Sequence, residues 1–547
     1  MQIMNVIPGL TGSILTEASA SSGPWLTLLV VFPTLVAALI WGVKPLRRVG
    51  RKIAFWASVA MLVALVVVAI FFDWSQSGTT QLVESYAWIP QAGITWSLGV
   101  NALGLVMLLL AAVLVVLVLA DAKGEDTDPE RATGYAALIL VLYSFIVMIF
   151  AAYDLVVFYI AFEAMLIPLF FMIGRFGPGK KPRKAAMKFL IYSLFGGLVM
   201  LGGVIVIVAS VGTSSGATFR FDELAQTLPL LSLGTQMAIV IPLLIAFAIK
   251  APMVPVHTWL PDTAAAARPG TSVLLVGILD KVGTYGMILF LVYMLPNAAA
   301  GVRPTVLVLA VISILWGGFA ANGQKNLLRL VSFTSVSHFG FIVLGIFIGS
   351  QIALSGAMFF MVAHGLSIAA LFLISGWLIE RGGTASVRGY GGMQQVTPVL
   401  AGTWLFAGMA SIALPGLSGF VPEYLVLMGT YKISAPLAIF AVFGVILAAL
   451  YILMPYQRIF TGRVNPEMAD LPDLNTRQRW VIAPLLVGTV VLGVWSAPLL
   501  QPLNQISEQS PLLDTSVSAQ VDSGANEDTV AEDSAVLEDD SSEGSDQ

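Results

Sequence analysis

Six ionisable residues stand inside long apolar runs. Glu163 interrupts Phe158-Tyr-Ile-Ala-Phe-Glu163-Ala-Met-Leu-Ile-Pro168, and Lys250 leads into Ala251-Pro252-Met-Val-Pro255-Val-His257. Lys281 follows Asp280 in Leu279-Asp280-Lys281-Val-Gly283-Thr-Tyr285, and His338 ends Thr334-Ser335-Val-Ser337-His338. His364 opens His364-Gly-Leu-Ser367, and Glu423 follows Leu414-Pro415-Gly416-Leu-Ser418-Gly419-Phe-Val-Pro422. These residue types point to proton transfer. A carboxylate at ~4 Å attracts an ammonium by about 4 kcal/mol at an effective dielectric near 20, or about a thousandfold in proton affinity. Moving the carboxylate away turns a lysine that holds a proton into one that gives it up. Histidine exchanges protons close to neutral pH and suits a relay between such groups.

The roles divide accordingly. Glu163 is the carboxylate that tunes a nearby base, and Lys250, at a helix break, is the base it tunes. Lys281 is a central relay. Asp280, about 100° away around the helix, is its modulator or the partner of another helix, and Tyr285, one turn on, shares the lysine's face. His338 and His364 relay, with the hydroxyls of Thr334 and Ser367 one turn away. Glu423 is the terminal carboxylate. His257 lies nearer a helix end and is the weaker candidate. Each has a plainer reading: an interhelical ion pair for Glu163, snorkelling for Lys250, core packing for the histidines, and a helix-start cap for Glu423.

Elements that could hold such residues must span a membrane. Of 547 residues, 58% are hydrophobic and 11% charged, with a mean hydropathy of +0.90. That composition cannot cover a soluble surface, and its runs of about 20 residues match ~30 Å of hydrocarbon. The spacing predicts an all-α polytopic fold of about fourteen transmembrane helices. Three helices occupy residues 1–130, five occupy 131–295, five more occupy 300–462, and a last one lies in 463–505. The first apolar run lacks the basic start and cleavage site of a signal peptide and reads as the first span.

Two spans are broken by proline and glycine, at 250–257 and 414–423. Such breaks leave backbone groups that hydrocarbon cannot satisfy, so they belong inside protein or beside a wet cavity. Paired breaks mark transporters with repeated halves. Glu163 precedes Lys250 by 87 residues and His338 precedes Glu423 by 85, which puts each pair on corresponding helices of two five-helix repeats.

Lys44, Arg47, Arg48, Arg51 and Lys52 fall in the first loop, Arg175, Lys180, Lys181, Arg183 and Lys184 in the fifth, and Arg458, Arg463, Arg477 and Arg479 in the last. These odd-numbered loops are expected in the cytoplasm, although residues 121–131 are mostly acidic. Twelve acidic residues and no Lys or Arg lie between Glu508 and Asp546. Removing them from the 31 Asp+Glu leaves 19 against 27 Lys+Arg, a body charge of about +8. Residues 506–547 read as a disordered acidic tail on the outer side. The absence of cysteine excludes disulfides and thiolate-held iron–sulfur clusters from this chain. Three histidines are too few for a four-haem or multi-metal electron-transfer core, and no cofactor or metal is expected here. No basic cluster supports nucleic-acid binding, and no strands are expected that could carry a nucleotide loop.

The motifs Phe158–Pro168, Ala248–Asp262, Val276–Gly286, Ser335–Phe341, Ala363–Leu373 and Leu414–Leu425 resemble those of the antiporter-like membrane subunits of proton-pumping NADH:quinone oxidoreductase, respiratory complex I. Glutamate at 423, where sibling subunits place lysine, and no long lateral helix after the last span fit the M type. The resemblance covers roughly residues 25–500. It implies two inverted five-helix repeats, each with a discontinuous helix. It also implies a water-joined path through Glu163, Lys250, Lys281, His338, His364 and Glu423, driven by redox chemistry in other subunits. Flavin, iron–sulfur clusters and quinone would belong to those partners, and sibling antiporter-like subunits would flank this chain in a bacterial inner membrane. Rivals on the same fold are a multisubunit Na+/H+ antiporter and the membrane arm of a hydrogenase complex; a passive scaffold is a third. The chain departs from the family pattern at Ala264 and Ala266 (usually His and Glu), Leu328 (Lys), Phe360 (Gln) and Asp280 (Leu).

Overall fold

Hydrocarbon offers no partner to backbone N–H and C=O groups, so long apolar runs resolve into helices that satisfy their own. The computed structural model describes residues 18–21, 23–122, 128–178, 181–211 and 219–513. Thirteen of its helices are long and apolar enough to cross a membrane. They are α1 (Trp25–Gly42), α2 (Gly50–Phe71), α3 (Ala102–Asp121), α4 (Pro129–Ala151), α5 (Leu155–Phe176), α6 (Pro182–Val211) and α7 (Leu233–Lys250), which continues after a break as α8 (Trp259–Ala266). Then follow α9 (Pro269–Tyr293), α10 (Pro296–Asn322), α11 (Leu327–Phe347) and α12 (Gln351–Gly382). A further crossing, the twelfth in chain order, is itself broken, into α13 (Pro398–Ser411) and α14 (Phe420–Ile433). The chain closes with α15 (Ala435–Phe460), α16 (Thr476–Val494) and α17 (Ala497–Glu508).

The element order repeats. The crossings α4, α5, α6, α7–α8 and α9 correspond to α10, α11, α12, α13–α14 and α15, with the fourth crossing discontinuous in each set. Five crossings are an odd number, so the second set must begin on the opposite side from the first. Inversion follows from counting. In the second break, Ala413 (φ 58) and Gly416 (φ 89) take left-handed conformations that end α13.

Burial separates centre from rim. The apolar windows of α9, α11 and α12 are wholly buried, whereas α1, α2, α6 and α16 expose most of theirs, including Trp56 and Phe71. The central helices are therefore shielded by protein on every side, as buried charges require.

Loops expected to share one face do meet there. Arg47 pairs with Glu130 at 3.8 Å, Arg268 donates to the Phe176 carbonyl, Arg477 to the Asp121 carbonyl, and Arg381 to the Pro472 carbonyl. At the other face Tyr293 donates to the Ile506 carbonyl (2.6 Å) and Ser355 pairs with Ser507 (2.6 Å), so α17 lies against both repeats. The acidic segment from residue 514 onward lies outside the described residues, as does 123–127 of the third loop.

One expectation fails. Strands, of which none were expected, are present beside the helical membrane body: a three-stranded sheet of β1 (Ala18–Ala20), β2 (Thr80–Ile89) and β3 (Ile94–Val100) stands at that second face. The stretch between α2 and α3 lies outside the apolar runs, where strands can pair. Gly93 (φ 68) closes the β2–β3 hairpin. The sheet has a mechanical use. Glu84 of β2 accepts from the amides of Leu26 (2.6 Å) and Thr27 (3.1 Å) and from the Thr27 hydroxyl (2.7 Å), capping the first turn of α1. Replacing Glu84 by Ala leaves those donors unmet, at a cost of about 1–2 kcal/mol. Amide hydrogen exchange at Leu26 and Thr27 is expected to rise by about tenfold, with exchange in α12 unchanged.

Candidate proton-transfer axis

The centre of the site is a lysine held from two sides. Helix α9 passes through a π-helical stretch at Leu275–Leu279 before returning to α-helix at Lys281–Gly286. Such wide turns recur at functional positions because they shift which carbonyls remain available. The Lys281 ammonium donates to the Val276 carbonyl at 2.5 Å and meets His364 Nδ1 of α12 at 2.7 Å. It also lies 5.3 Å from the centre of the Phe339 ring. With the lysine as donor, the imidazole carries its proton on Nε2.

From His364 the path continues into the second repeat. The rings of His364 and His338 are 5.3 Å apart, centre to centre, and nearly perpendicular. His364 Nε2 and His338 Nδ1 are both buried without a hydrogen-bond partner among the described residues. On its far side His338 Nε2 meets the hydroxyl of Tyr451, from α15, at 3.1 Å. Glu423, at the start of α14, stands on the helix that packs against the Tyr451-bearing α15, and its carboxylate is 3% exposed. Lys281, His364, His338, Tyr451 and Glu423 thus form one buried succession.

The first repeat supplies the other end. Glu163 of α5 lies against Gly197 of α6, where an added Cβ would fall 1.6 Å from Glu163 Oε1. That oxygen is buried and without a hydrogen-bond partner among the described residues. Lys250 ends α7 with its ammonium 5.2 Å from the Phe162 ring centre and 5.7 Å from that of Phe189. Among the described residues Glu163 and Lys250 form no closed ion pair, yet they interact electrostatically across the gap. Glycines bring this end to the centre. A Cβ on Gly283 would meet the Phe247 carbonyl at 2.6 Å and the Ala251 amide nitrogen at 2.8 Å, and one on Gly286 would enter the Phe247 ring. Only glycine lets α9 pack so tightly on the end of α7.

Four expected participants lie elsewhere or bond elsewhere. Tyr285 donates to the Phe150 carbonyl (3.4 Å) rather than meeting Lys281. The hydroxyls of Thr334 and Ser367 donate to carbonyls of their own helices, Val331 and His364, so they serve backbone and not a wire. His257 packs against Phe333 in the first break, away from Lys281 and His364. Two residues escaped sequence reasoning. Gly197 carries no chemistry of its own. Tyr451 was findable: Glu163 and His338 lie 175 residues apart, Lys250 and Glu423 173, and Lys281 and Tyr451 170. The repeat puts Tyr451 where the first half has its central lysine.

A second cluster ties the halves near the odd-loop face. Asp262 of α8 accepts from Lys188 of α6 (2.6 Å) and from Arg329 at the start of α11, and Lys188 also donates to the Thr258 carbonyl (2.7 Å). This joins the first discontinuous crossing to the second repeat.

Repeated five-helix halves with broken fourth crossings and buried ionisable groups define a membrane transporter of the antiporter-like class. Residues 152–448 match the family described as NADH:quinone oxidoreductase/Mrp antiporter, TM. NADH-quinone oxidoreductase subunit M of Mycobacterium tuberculosis is 40% identical over 89% of this chain and 94% of its own length. The subunit M of Escherichia coli K12 is 34% identical over 87% and 95%. The chain belongs to the NADH:quinone oxidoreductase/Mrp antiporter transmembrane family. Among solved structures, a chain of respiratory complex I from Thermus thermophilus superposes with a TM-score of 0.78 at 28% identity, covering 88% of this chain and 99% of its own. A chain of the Mrp complex from Dietzia sp. DQ12-45-1b reaches the same TM-score at 22% identity over 90% and 99%, a likeness of fold.

Because Gly197 borders Glu163 so closely, Gly197→Ala forces the carboxylate or α6 to move. The substitution is expected to cost about 1–3 kcal/mol and lower the thermal midpoint of the detergent-solubilised protein. Gly202→Ala on the same helix, with open space at its Cβ, is expected to leave it unchanged.

Proposed function

We propose that this chain is the M-type proton-pumping membrane subunit of a bacterial NADH:quinone oxidoreductase. One observation carries the reading: the buried succession from Lys281 through His364 and His338 to Tyr451, with hydrogen bonds of 2.7 and 3.1 Å at its two ends. A scaffold needs paired charges. It does not need two histidines packed ring against ring beside a buried lysine.

In this mechanism Glu163 and Lys250 form the input switch. When redox chemistry in other subunits draws the carboxylate and ammonium together, Lys250 holds its proton; when they part, the proton moves inward. A closed pair at ~4 Å is worth about 4 kcal/mol relative to full separation at an effective dielectric of 20, and closing a partial gap supplies a fraction of that, against about 2.3 kcal/mol to move one charge through 100 mV. Lys281 receives the proton at the centre, and His364, His338 and Tyr451 pass it to Glu423. The cavity of about 1160 Å³ on the odd-loop face, lined by Asp121, Asp128 and Glu380 together with Arg131 and Arg268, supports water access for loading from the cytoplasm. Release and the acidic tail lie outside the bacterial inner membrane. Flavin, iron–sulfur clusters and quinone belong to partner subunits, and sibling antiporter-like subunits flank this one. The exposed apolar faces of α1, α2, α6 and α16 are available to them and to lipid.

Identity favours this reading over a multisubunit Na+/H+ antiporter or a hydrogenase arm, since the 40%- and 34%-identical relatives are NADH-quinone oxidoreductase subunits. Co-purification with NADH-oxidising subunits tests it directly. In the intact complex, Lys250→Ala is expected to reduce proton uptake into inverted vesicles by about tenfold or more. Assembly, scored on native gels, should persist. Normal pumping in that assembled variant sinks the proposal. Tyr451→Phe removes only a hydroxyl and is expected to slow pumping by about tenfold without altering assembly.

A further inference from the structure

Asp280 is used by none of the steps above, and its surroundings are unusual. It is 1% exposed, on a helix whose apolar window is entirely buried. Both carboxylate oxygens are enclosed with no hydrogen-bond partner among the described residues. A carboxylate placed so, in hydrocarbon, is costly unless it is neutralised by a proton or by nearby positive charge.

The backbone explains how it is placed. Asp280 is the hinge residue where the π-helical stretch ends, its amide bonded to the Leu275 carbonyl at 3.0 Å. Lys281 is next in sequence, its own ammonium directed to Val276 and His364. The approach enforced by Gly283 brings α9 onto the end of α7, where Lys250 stands. Asp280 interacts electrostatically with both lysines. Asp280 adjoins Lys281 on the helix that Gly283 seats against Ala251, the residue after Lys250, and the interval between these two cations is a part of the axis for which the preceding mechanism names no carrier.

We propose that Asp280 is a proton carrier between Lys250 and Lys281, which rests on the function proposed above and completes its first half. In the first step the Lys250 ammonium gives a proton to an Asp280 Oδ, leaving a neutral amine and a neutral carboxyl group. In the second, that carboxyl gives the proton to the neutral Lys281 amine, leaving a carboxylate and an ammonium. Charge and protons balance in each step. Neither lysine forms a closed ion pair with Asp280 among the described residues, so a side-chain turn or a bridging water closes each gap in its step, and the neutral intermediate avoids two ammoniums standing charged at once.

The experiment uses the intact complex in inverted membrane vesicles, with NADH oxidation, proton uptake and its solvent deuterium isotope effect measured together. Asp280→Leu and Asp280→Asn are expected to lower proton uptake per NADH by about tenfold, and Asp280→Glu to restore most of it. Infrared difference spectra on turnover should show a carboxyl C=O band that the Asn variant loses. If Asp280→Leu assembles and pumps like the parent while Lys250→Ala does not, the carrier role is overturned and the proposed function stands. If neither variant alters pumping, the proposed function itself fails. Should the neutral variants not assemble, Asp280→Glu decides. A carrier predicts slowed pumping with an enlarged isotope effect, because the carboxyl is displaced by one methylene. A fixed counter-charge predicts parental pumping, and that result overturns the proposal.

Discussion

The whole arrangement depends on keeping an ammonium in the middle of a membrane protein. At Lys281 this is done with a carbonyl of its own helix, an imidazole from α12 and the face of Phe339. A lysine in hydrocarbon costs roughly 2.5–3.5 kcal/mol on insertion scales, and hydrogen bonds to charged groups return about 1.5–3 kcal/mol each. The balance is close. A proton at this point is neither trapped nor expelled, which is the condition for passing it on. The same contact joins the two repeats, since Lys281 belongs to the first and His364 to the second.

That seam accounts for the burial pattern. α9, α11 and α12, which carry Lys281, His338 and His364, are shielded on all sides, while α1, α2, α6 and α16, which carry none of the axis residues, form the rim. The broken crossings follow from the same need. Each ends its first half near an ionisable group, Lys250 at the end of α7 and Glu423 just inside α14, where loosened backbone can coexist with charge.

The sequence disclosed a good share of this. Apolar runs located the crossings, proline and glycine located both breaks, and the near-equal offsets of Glu163–Lys250 and His338–Glu423 revealed the repeat. What stayed hidden depended on contacts between distant segments. The sheet was missed because strands of seven and ten residues are faint beside runs of twenty. Thr334 and Ser367 lie one turn from the histidines, but a hydroxyl in a helix has its own carbonyls within reach and takes them. Tyr285 shares a helix with Lys281 yet turns to Phe150, a choice set by α4. Tyr451 lies too far along the chain to be linked with His338 except through the repeat.

The glycines at 197, 283 and 286 have a consequence for charge. None is ionisable, yet Gly197 borders Glu163, and Gly283 and Gly286 seat α9 on the end of α7, where Lys250 stands. At an effective dielectric near 20, moving two unit charges from about 5 to 6 Å apart changes their interaction by about 0.5 kcal/mol, more than a twofold change in proton occupancy. A single methyl group at any of these three sites would act as a wedge of roughly that size. The voltage characteristics of this conductor are therefore written partly in steric bulk, and its calibration would drift through substitutions that leave every charge in place.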